Sequence, residues 1–439
     1  MADEKNLFAQ ATQHFKNKEF DQAVRAFQEV IRAAPNEEAF CGLGLVYTFQ
    51  NRFEDARKAF EQALQINPTN RTAQSALEKV NKQQAEFQTL TTFFRSHRVS
   101  PASSDLPFTS LVMITYNQLY YTRLCIESLL AYTDVPFELI LIDNASTDGT
   151  GAYFLQLEKD RTRLSPLLKT VRVLLNSENK GFVKAVNQGL RQAKGQILGI
   201  LNNDLLFTPR WLSLMLEQMK KNAYDVLGPV CNKAEDVLQI PQVVDVSYTD
   251  PSSMLSYLQN SRQTIETRAA DWIAGFCLLF RRELLDKIGL LDERFGLGFC
   301  EDEDYCYRAR LAGFKVGYCT VFIHHYWHKS FSQLDGNREQ KRAGENLHYL
   351  LTKMIRLNPS DAQAHYRLAD HLLLERQDAV AEQHYRTCLH LQPNHPEALY
   401  NLGVLCYKTN RGSEAKTLFQ KLLTLQPDHV EAKKAIQLL

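Results

Sequence analysis

Three prolines near the C-terminus, Pro359, Pro393 and Pro427, stand 34 residues apart, and the residues between them repeat in register. Leu368, Ala369, Ala381 and Tyr385 recur as Leu402, Gly403, Ala415 and Phe419. A fixed period of this length marks a stacked repeat, each unit being a helix pair that cannot bury its apolar face alone. Small residues let two antiparallel helices approach closely, and bulky ones fill the space between them. The proline stops the second helix. The same scheme runs near the N-terminus through Leu7, Ala11, Ala23, Phe27 and Pro35, then through Phe40, Gly44, Tyr47, Ala56, Phe60 and Pro68. Two repeats are expected at each end, with capping helices at Thr72–Thr91 and Glu431–Leu438 and a half-repeat at about Lys341–Leu357.

Between the arrays the period changes. A polar stretch, "RSHRVSPASSD" (95–105), reads as a linker. Apolar strands then alternate with helical segments: "TSLVMITYN", "FELILIDNASTDGT", "TVRVLLNSENKGFVKAVNQGLRQA" and "GQILGILNNDLLF". This alternation predicts a parallel, doubly wound sheet, whose ligands bind beyond the carboxyl ends of its strands. Polar residues collect at those ends: Thr115, Tyr116 and Asn117, then 143–148, then Asn202, Asn203 and Asp204. "DNASTDG" lacks the alternating oxygen ligands of a calcium loop because Ala145 fills the third place. Neither a dinucleotide fingerprint nor a P-loop occurs.

The totals narrow the classes. With 44% hydrophobic and 23% charged residues, the chain has the composition of a soluble globular protein. A formal net charge of +1 gives no global attraction to nucleic acid or to an anionic membrane. No membrane span is expected, and "MADEKNLFAQ" has no basic region followed by an apolar core, so a cytoplasmic location is expected. Nine cysteines without a C-x-x-C pair fit buried thiols better than a zinc knuckle.

The ends resemble tetratricopeptide repeats, which implies protein- or peptide-binding surfaces. The centre, from about Ser110 to Ser330, resembles a family 2 glycosyltransferase of the GT-A fold. The matching segments are "ITYNQ", "LIDNASTDGT", "NKGFVKAVNQGL", "LNNDLLF", "DWIAGFCLLFRRELLDKIGLLDERF", "CEDEDYCYRARLAGFKV" and "HHYWHKSF". The expected architecture is an α/β GT-A domain at 106–340 between all-α tetratricopeptide-repeat arrays at 1–95 and 341–439.

The resemblance also implies roles. Thr115, Tyr116, Asn117 and Asp143 would hold the nucleotide, with Asn179, Gly181, Asn187 and Asn203 near the donor. Asp204 stands in the family's Asp-x-Asp metal motif, whose first aspartate is replaced here by Asn202. A divalent cation, Mn²⁺ or Mg²⁺, would be shared with a histidine. His325 and His324 are both candidates, and His328 is the weakest of the three. In the run Glu301-Asp302-Glu303-Asp304, Asp302 matches the family's general base and Glu301 would orient the acceptor. Asp304 is spaced to pair with Arg308. The same four carboxylates also suit a first helical turn, where the helix dipole favours negative charge. Trp272 and Gly275 would border the acceptor.

The implied activity is inverting, metal-dependent transfer from a UDP-, GDP- or dTDP-sugar. The flanking arrays point to a protein acceptor, as in bacterial protein or flagellin glycosylation. A transferase acting on lipid-linked surface polysaccharide is the alternative enzyme. A repeat scaffold with a degenerate transferase domain is the non-enzymatic one.

Overall fold

A computed structural model describes residues 2–17, 19–102, 105–232, 243–244, 265–326 and 336–439. His328 lies outside the described residues. Two compact units result, Met1–Glu339 and Gln340–Leu439.

The first unit opens with helices α1 (Ala2–Lys16), α2 (Phe20–Ala33), α3 (Glu37–Phe49), α4 (Phe53–Ile66) and α5 (Arg71–Ser96). α3 and α4 cross at Gly44, where a β-carbon would lie 2.6 Å from the Phe60 ring, so the repeat's small residue is set by its large one. Each inter-repeat proline is followed by a cap: Asn36 accepts from Ala39 N–H and Asn70 from Ala73 N–H. Such caps satisfy donors that the first helical turn leaves open. α5 continues five residues past the expected Thr91. Phe87, Leu90 and Phe94 are buried along it in the same apolar core as the central sheet, and this burial sustains the extra turn.

The central elements are β1 (Thr109–Thr115), α6 (Leu119–Tyr132), β2 (Phe137–Asp143), α7 (Thr150–Leu164), β3 (Leu168–Leu175), α8 (Phe182–Gln192), β4 (Ile197–Leu201), β5 (Leu205–Leu206), α9 (Trp211–Lys221), β6 (Val226–Asn232), β7 (Val243–Val244), β8 (Thr267–Ala269), β9 (Cys277–Arg281), α10 (Arg282–Ile288), α11 (Glu301–Leu311), β10 (Val316–Phe322) and β11 (His324–His325). The main sheet runs β3-β2-β1-β4-β9-β6-β10-β8. β3, β2, β1 and β4 are parallel, as the strand–helix alternation predicts. The sheet as a whole is mixed. β9 runs antiparallel between β4 and β6, and β8 is an antiparallel edge on β10. An apolar run such as "CLLF" signals burial on both faces and carries no direction, so the parallel expectation fails there.

The backbone of the expected linker is tied to the central domain. Val99 N–H donates to Ala131 O and Ala102 N–H to Asp134 O, at 3.0 and 2.8 Å.

The second unit begins within α12 (Gly336–Leu357) and continues through α13 (Ala362–Leu374), α14 (Asp378–Leu391), α15 (Pro396–Lys408), α16 (Gly412–Leu425) and α17 (Val430–Gln437). The repeat physics returns. A β-carbon on Gly403 would lie 2.6 Å from Phe419, and Asp361, His395 and His429 cap the helices that follow each proline.

Candidate active site

β1 and β2 are parallel and in register, so Thr115 pairs with Asp143 and both chains leave the sheet at one edge. The two exits are locked together. Asn117, held at φ 57°, donates its N–H to Ser146 Oγ at 2.7 Å, and its Oδ1 accepts from Thr147 N–H at 2.8 Å. Asp143 is buried and accepts from Ser146 N–H at 3.0 Å. Burial raises its pKa, with the Ser146 hydrogen bonds opposing the shift. Thr115 Oγ1 is buried without a hydrogen-bond partner. Tyr116 is half-buried, and its phenol is raised by burial and then by Asp21 of the N-terminal array.

Asn144, which sequence reasoning did not single out, joins this edge to the next loop. Its amide donates to Asn179 Oδ1 at 2.8 Å and to Gly181 O at 3.3 Å, while its Oδ1 accepts from Lys180 N–H at 3.1 Å. Gly181, at φ 83°, lies against Gly296; a β-carbon there would be 2.7 Å from the Gly296 carbonyl. No other residue fits that approach. Asn187 takes a different part from the donor contact expected of it. Its buried carboxamide donates to Leu291 O at 2.9 Å and accepts from Leu291 N–H at 3.1 Å, bracing the chain that leads to α11. Asn203 is buried as well, donating to Thr122 Oγ1 at 2.9 Å.

β4 delivers Asn202-Asn203-Asp204, and the short ladder of β11 on β5 delivers the histidines. His325 pairs with Leu205 and His324 with Leu206. Neighbouring strand residues face opposite sides, and it is His325 whose Nε2 lies 3.1 Å from Asp204 Oδ1 and 3.4 Å from Asn202 Nδ2. His324 instead sets its ring edge-on to Tyr326, at 4.5 Å between centroids. Asn232, also unflagged by the sequence, clamps the His325 backbone from both sides, accepting its N–H at 2.7 Å and donating to its carbonyl at 3.1 Å. Two ligands adjacent on an octahedral ion with bonds of about 2.1 Å lie about 3.0 Å apart. The Asp204–His325 separation meets that test; the carboxylate is a ligand type suited to Mg²⁺ or Mn²⁺, and the imidazole one suited to transition metals.

α11 begins with the four carboxylates. Phe299 and Cys300 enter it at φ 71° and 69°, conformations rare outside glycine and concentrated at functional sites. Asp302 is fixed at both oxygens: Gly275 N–H donates to Oδ2 and Glu303 N–H to Oδ1, each at 2.8 Å. Glu301 is 7% exposed, and its Oε2 has no hydrogen-bond partner. Burial raises the pKa of both groups. The Asp302 charge pushes Glu301 up further, while the two N–H donors hold Asp302 down. The pair therefore separates into a more acidic Asp302 and a more readily protonated Glu301. The expected Asp304–Arg308 pair forms at 2.8 Å, and Arg308 reaches on to the carbonyls of Ile288 and Leu290. Trp272 is partly buried against the core.

Consecutive residues unite the two halves. Gly275 holds Asp302. Phe276 accepts from Asn202 N–H through its carbonyl at 2.8 Å and stacks its ring on His325, centroids 5.2 Å apart. The carboxylate pair of α11 and the Asp204–His325 pair thus share one edge of the sheet. A polar edge at the strand ends, a carboxylate–imidazole pair and a separate buried carboxylate on a central mixed α/β sheet make up the arrangement of the GT-A fold.

Comparison with known proteins agrees. Residues 110–289 match the family model for Glycosyl transferase family 2, and residues 5–37, 37–70 and 373–439 match models for the tetratricopeptide repeat. The chain carries a family 2 glycosyltransferase domain set between tetratricopeptide repeats. It is 26% identical over 261 residues to the uncharacterized protein y4gI of Sinorhizobium fredii, covering 56% of this chain and 27% of that protein. It is 25% identical over 230 residues to the putative glycosyltransferase EpsH of Bacillus subtilis, covering 51% and 61%. The chain thus spans less than two thirds of the length of these relatives. Among solved structures, the mannosyltransferase PcManGT from Pyrobaculum calidifontis in complex with GDP-Man and Mn²⁺ is 17% identical and aligns over 78% of this chain and 96% of that one, with a TM-score of 0.42. No described helix is long and apolar enough to cross a membrane.

Proposed function

We propose that this chain is an inverting, divalent-metal-dependent glycosyltransferase that moves a sugar from a UDP-, GDP- or dTDP-sugar to a side-chain hydroxyl of a polypeptide, as in bacterial protein O-glycosylation, flagellin included. We place this reaction in the cytoplasm. The observation that carries the reading is the Gly275–Phe276 link between Asp302 and the Asp204–His325 pair. An inverting displacement needs a base on one side of the sugar and charge stabilisation on the other, and this link fixes both on one frame.

In this reading Thr115, Tyr116, Asn117 and Asp143 receive the nucleotide, and Asn144 keeps the loop of Asn179 and Gly181 against it. Asp204 and His325 would hold Mn²⁺ or Mg²⁺, which would neutralise charge on the departing diphosphate. Asp302, oriented by two N–H donors, takes the acceptor proton as the acceptor oxygen bonds to the anomeric carbon and the carbon–diphosphate bond breaks. Glu301, more readily protonated, donates a hydrogen bond that orients the acceptor. Trp272 and Gly275 border the acceptor side. The repeats favour a polypeptide over a lipid-linked acceptor, since such arrays bind extended chains.

The test is nucleotide release from UDP-, GDP- and dTDP-sugars with Mn²⁺ or EDTA, in the native chain and in Asp204→Asn. Metal-dependent release from one donor, lost in the variant, is expected. Equal release with EDTA would remove the metal from the account.

A further inference from the structure

A second candidate metal centre lies far along the sequence from the first, within the C-terminal unit. α12 and α13 face one another there, and three ligand-bearing side chains converge: His348 from α12, and His371 and Glu375 from the end of α13. Their ligand atoms lie within 4.8 Å of one another. His371 Nε2 is 3.2 Å from Glu375 Oε1, and His348 Nδ1 is 3.9 Å from Glu375 Oε2.

His371 is 8% exposed, and its Nε2 makes no hydrogen bond, although a carboxylate oxygen stands 3.2 Å away. A buried polar nitrogen left in this state calls for a partner. Two ligands on a tetrahedral zinc ion, with bonds of about 2.0–2.1 Å, lie about 3.3 Å apart. The His371–Glu375 separation has that value, and His348 is one small side-chain adjustment from it.

Helical geometry explains the convergence. His371 and Glu375 are four residues apart and so share one face. Gly344 gives the His371 ring room: even a β-carbon there would lie 3.9 Å from His371 Cε1. A cavity of about 580 Å³, lined by Glu345, His371, Leu374 and Glu375 among others, adjoins the cluster and leaves space for a fourth ligand.

We propose that His348, His371 and Glu375 bind a zinc-class divalent cation that ties α12 to α13. Two imidazoles and one carboxylate select zinc or its late transition-metal neighbours over Mg²⁺. The site is chemically distinct from the Asp204–His325 pair. It fixes the first helix pair of the C-terminal unit.

The experiment titrates zinc chloride, against a chromophoric chelator, into the full-length chain carrying Asp204→Asn and His325→Ala, which silences the other centre. One equivalent of zinc per chain is expected, with a rise in melting temperature. His371→Gln, His348→Gln and Glu375→Gln are each expected to weaken binding by roughly 100-fold or more, since even the outer partners of metal ligands contribute 10–100-fold. His348 and Glu375 are partly exposed, so their variants keep the native helical signal if His371→Gln does not fold. No zinc uptake by the parent chain, or equal uptake by the His348 and Glu375 variants, would overturn the proposal.

Discussion

The two ends of the chain carry one repeat and put it to different uses. In both arrays a glycine admits a phenylalanine of the next helix, Gly44 with Phe60 and Gly403 with Phe419, at the same 2.6 Å limit. Their outer residues differ. In the N-terminal array Phe53 and Phe87 close on Tyr120 of α6, with ring centroids 4.8 and 5.4 Å away. Asn51 donates to Gln118 at 2.6 Å, Arg95 pairs with Glu127, and Thr147 of the loop between β2 and α7 donates to Asp21 at 3.4 Å. That array is part of the first unit, with the central sheet. The C-terminal repeats form a unit of their own, with Leu374 left 85% exposed. The repeat register therefore determines how helices pack within an array, and a few surface aromatics join the N-terminal array to the central sheet.

The largest expected contrast comes from removing each array. Deleting residues 2–96 takes Phe87, Leu90 and Phe94 out of the sheet's core, so no folded transferase is expected by circular dichroism. Deleting 361–439 should leave nucleotide release within about twofold and raise the acceptor KM; the same acceptor KM in that truncation would end the role given to the C-terminal repeats. Next in size is Asp302→Asn, expected to lower transfer by about 10²–10⁴-fold, the usual contribution of a positioned base. That loss should be equal in the full chain and in the 361–439 deletion.

Single residues sharpen the contrast further. Tyr120→Ala should destabilise the first unit by about 2–4 kcal/mol through lost packing, whereas Leu374→Ala should stay within about 0.5 kcal/mol. Denaturant midpoints would show it, and equal shifts would mean that the N-terminal contact is superficial. The smallest effect is on pH. Asp302 must be ionised to act, and burial raises its pKa, so activity should fall on acidification at a pH above the ordinary aspartate range near 3.9. Glu301 is also raised in the folded chain, so ionising it opposes folding as pH rises through that window. Glu301→Gln should gain stability over the native chain as pH increases, and thermal melts across pH would reveal a gap of the wrong sign.

Much of this was legible in the residues, and the reasons are physical. Periodic small and large side chains prescribe helix crossings, so Gly44 and Gly403 could be placed without coordinates. Polar residues that end apolar runs mark strand ends, which brought Asp143 and Asp204 to one edge. Strand direction was not legible in β9, because a run buried on both faces reads alike either way, and β8 is a three-residue exposed edge strand without an apolar run to announce it. Asparagine roles were legible only in part. Asn144, Asn187 and Asn232 offer the same amide, and only the fold shows that Asn144 joins two loops, Asn187 braces Leu291 and Asn232 clamps His325. Which of His324 and His325 lies beside Asp204 needed the β11 ladder, since adjacent strand residues face opposite ways.

The central claim is that Asp204 with His325 serves the donor and Asp302 the acceptor. Calorimetric titration of the donor's nucleoside diphosphate, with and without Mn²⁺, tests it most directly in the native chain, Asp204→Asn and Asp302→Asn. The account predicts that Asp204→Asn loses the Mn²⁺-dependent gain in affinity while Asp302→Asn keeps it and still fails to transfer sugar. Retention of that gain in Asp204→Asn, or its equal loss in both variants, would contradict the division of labour.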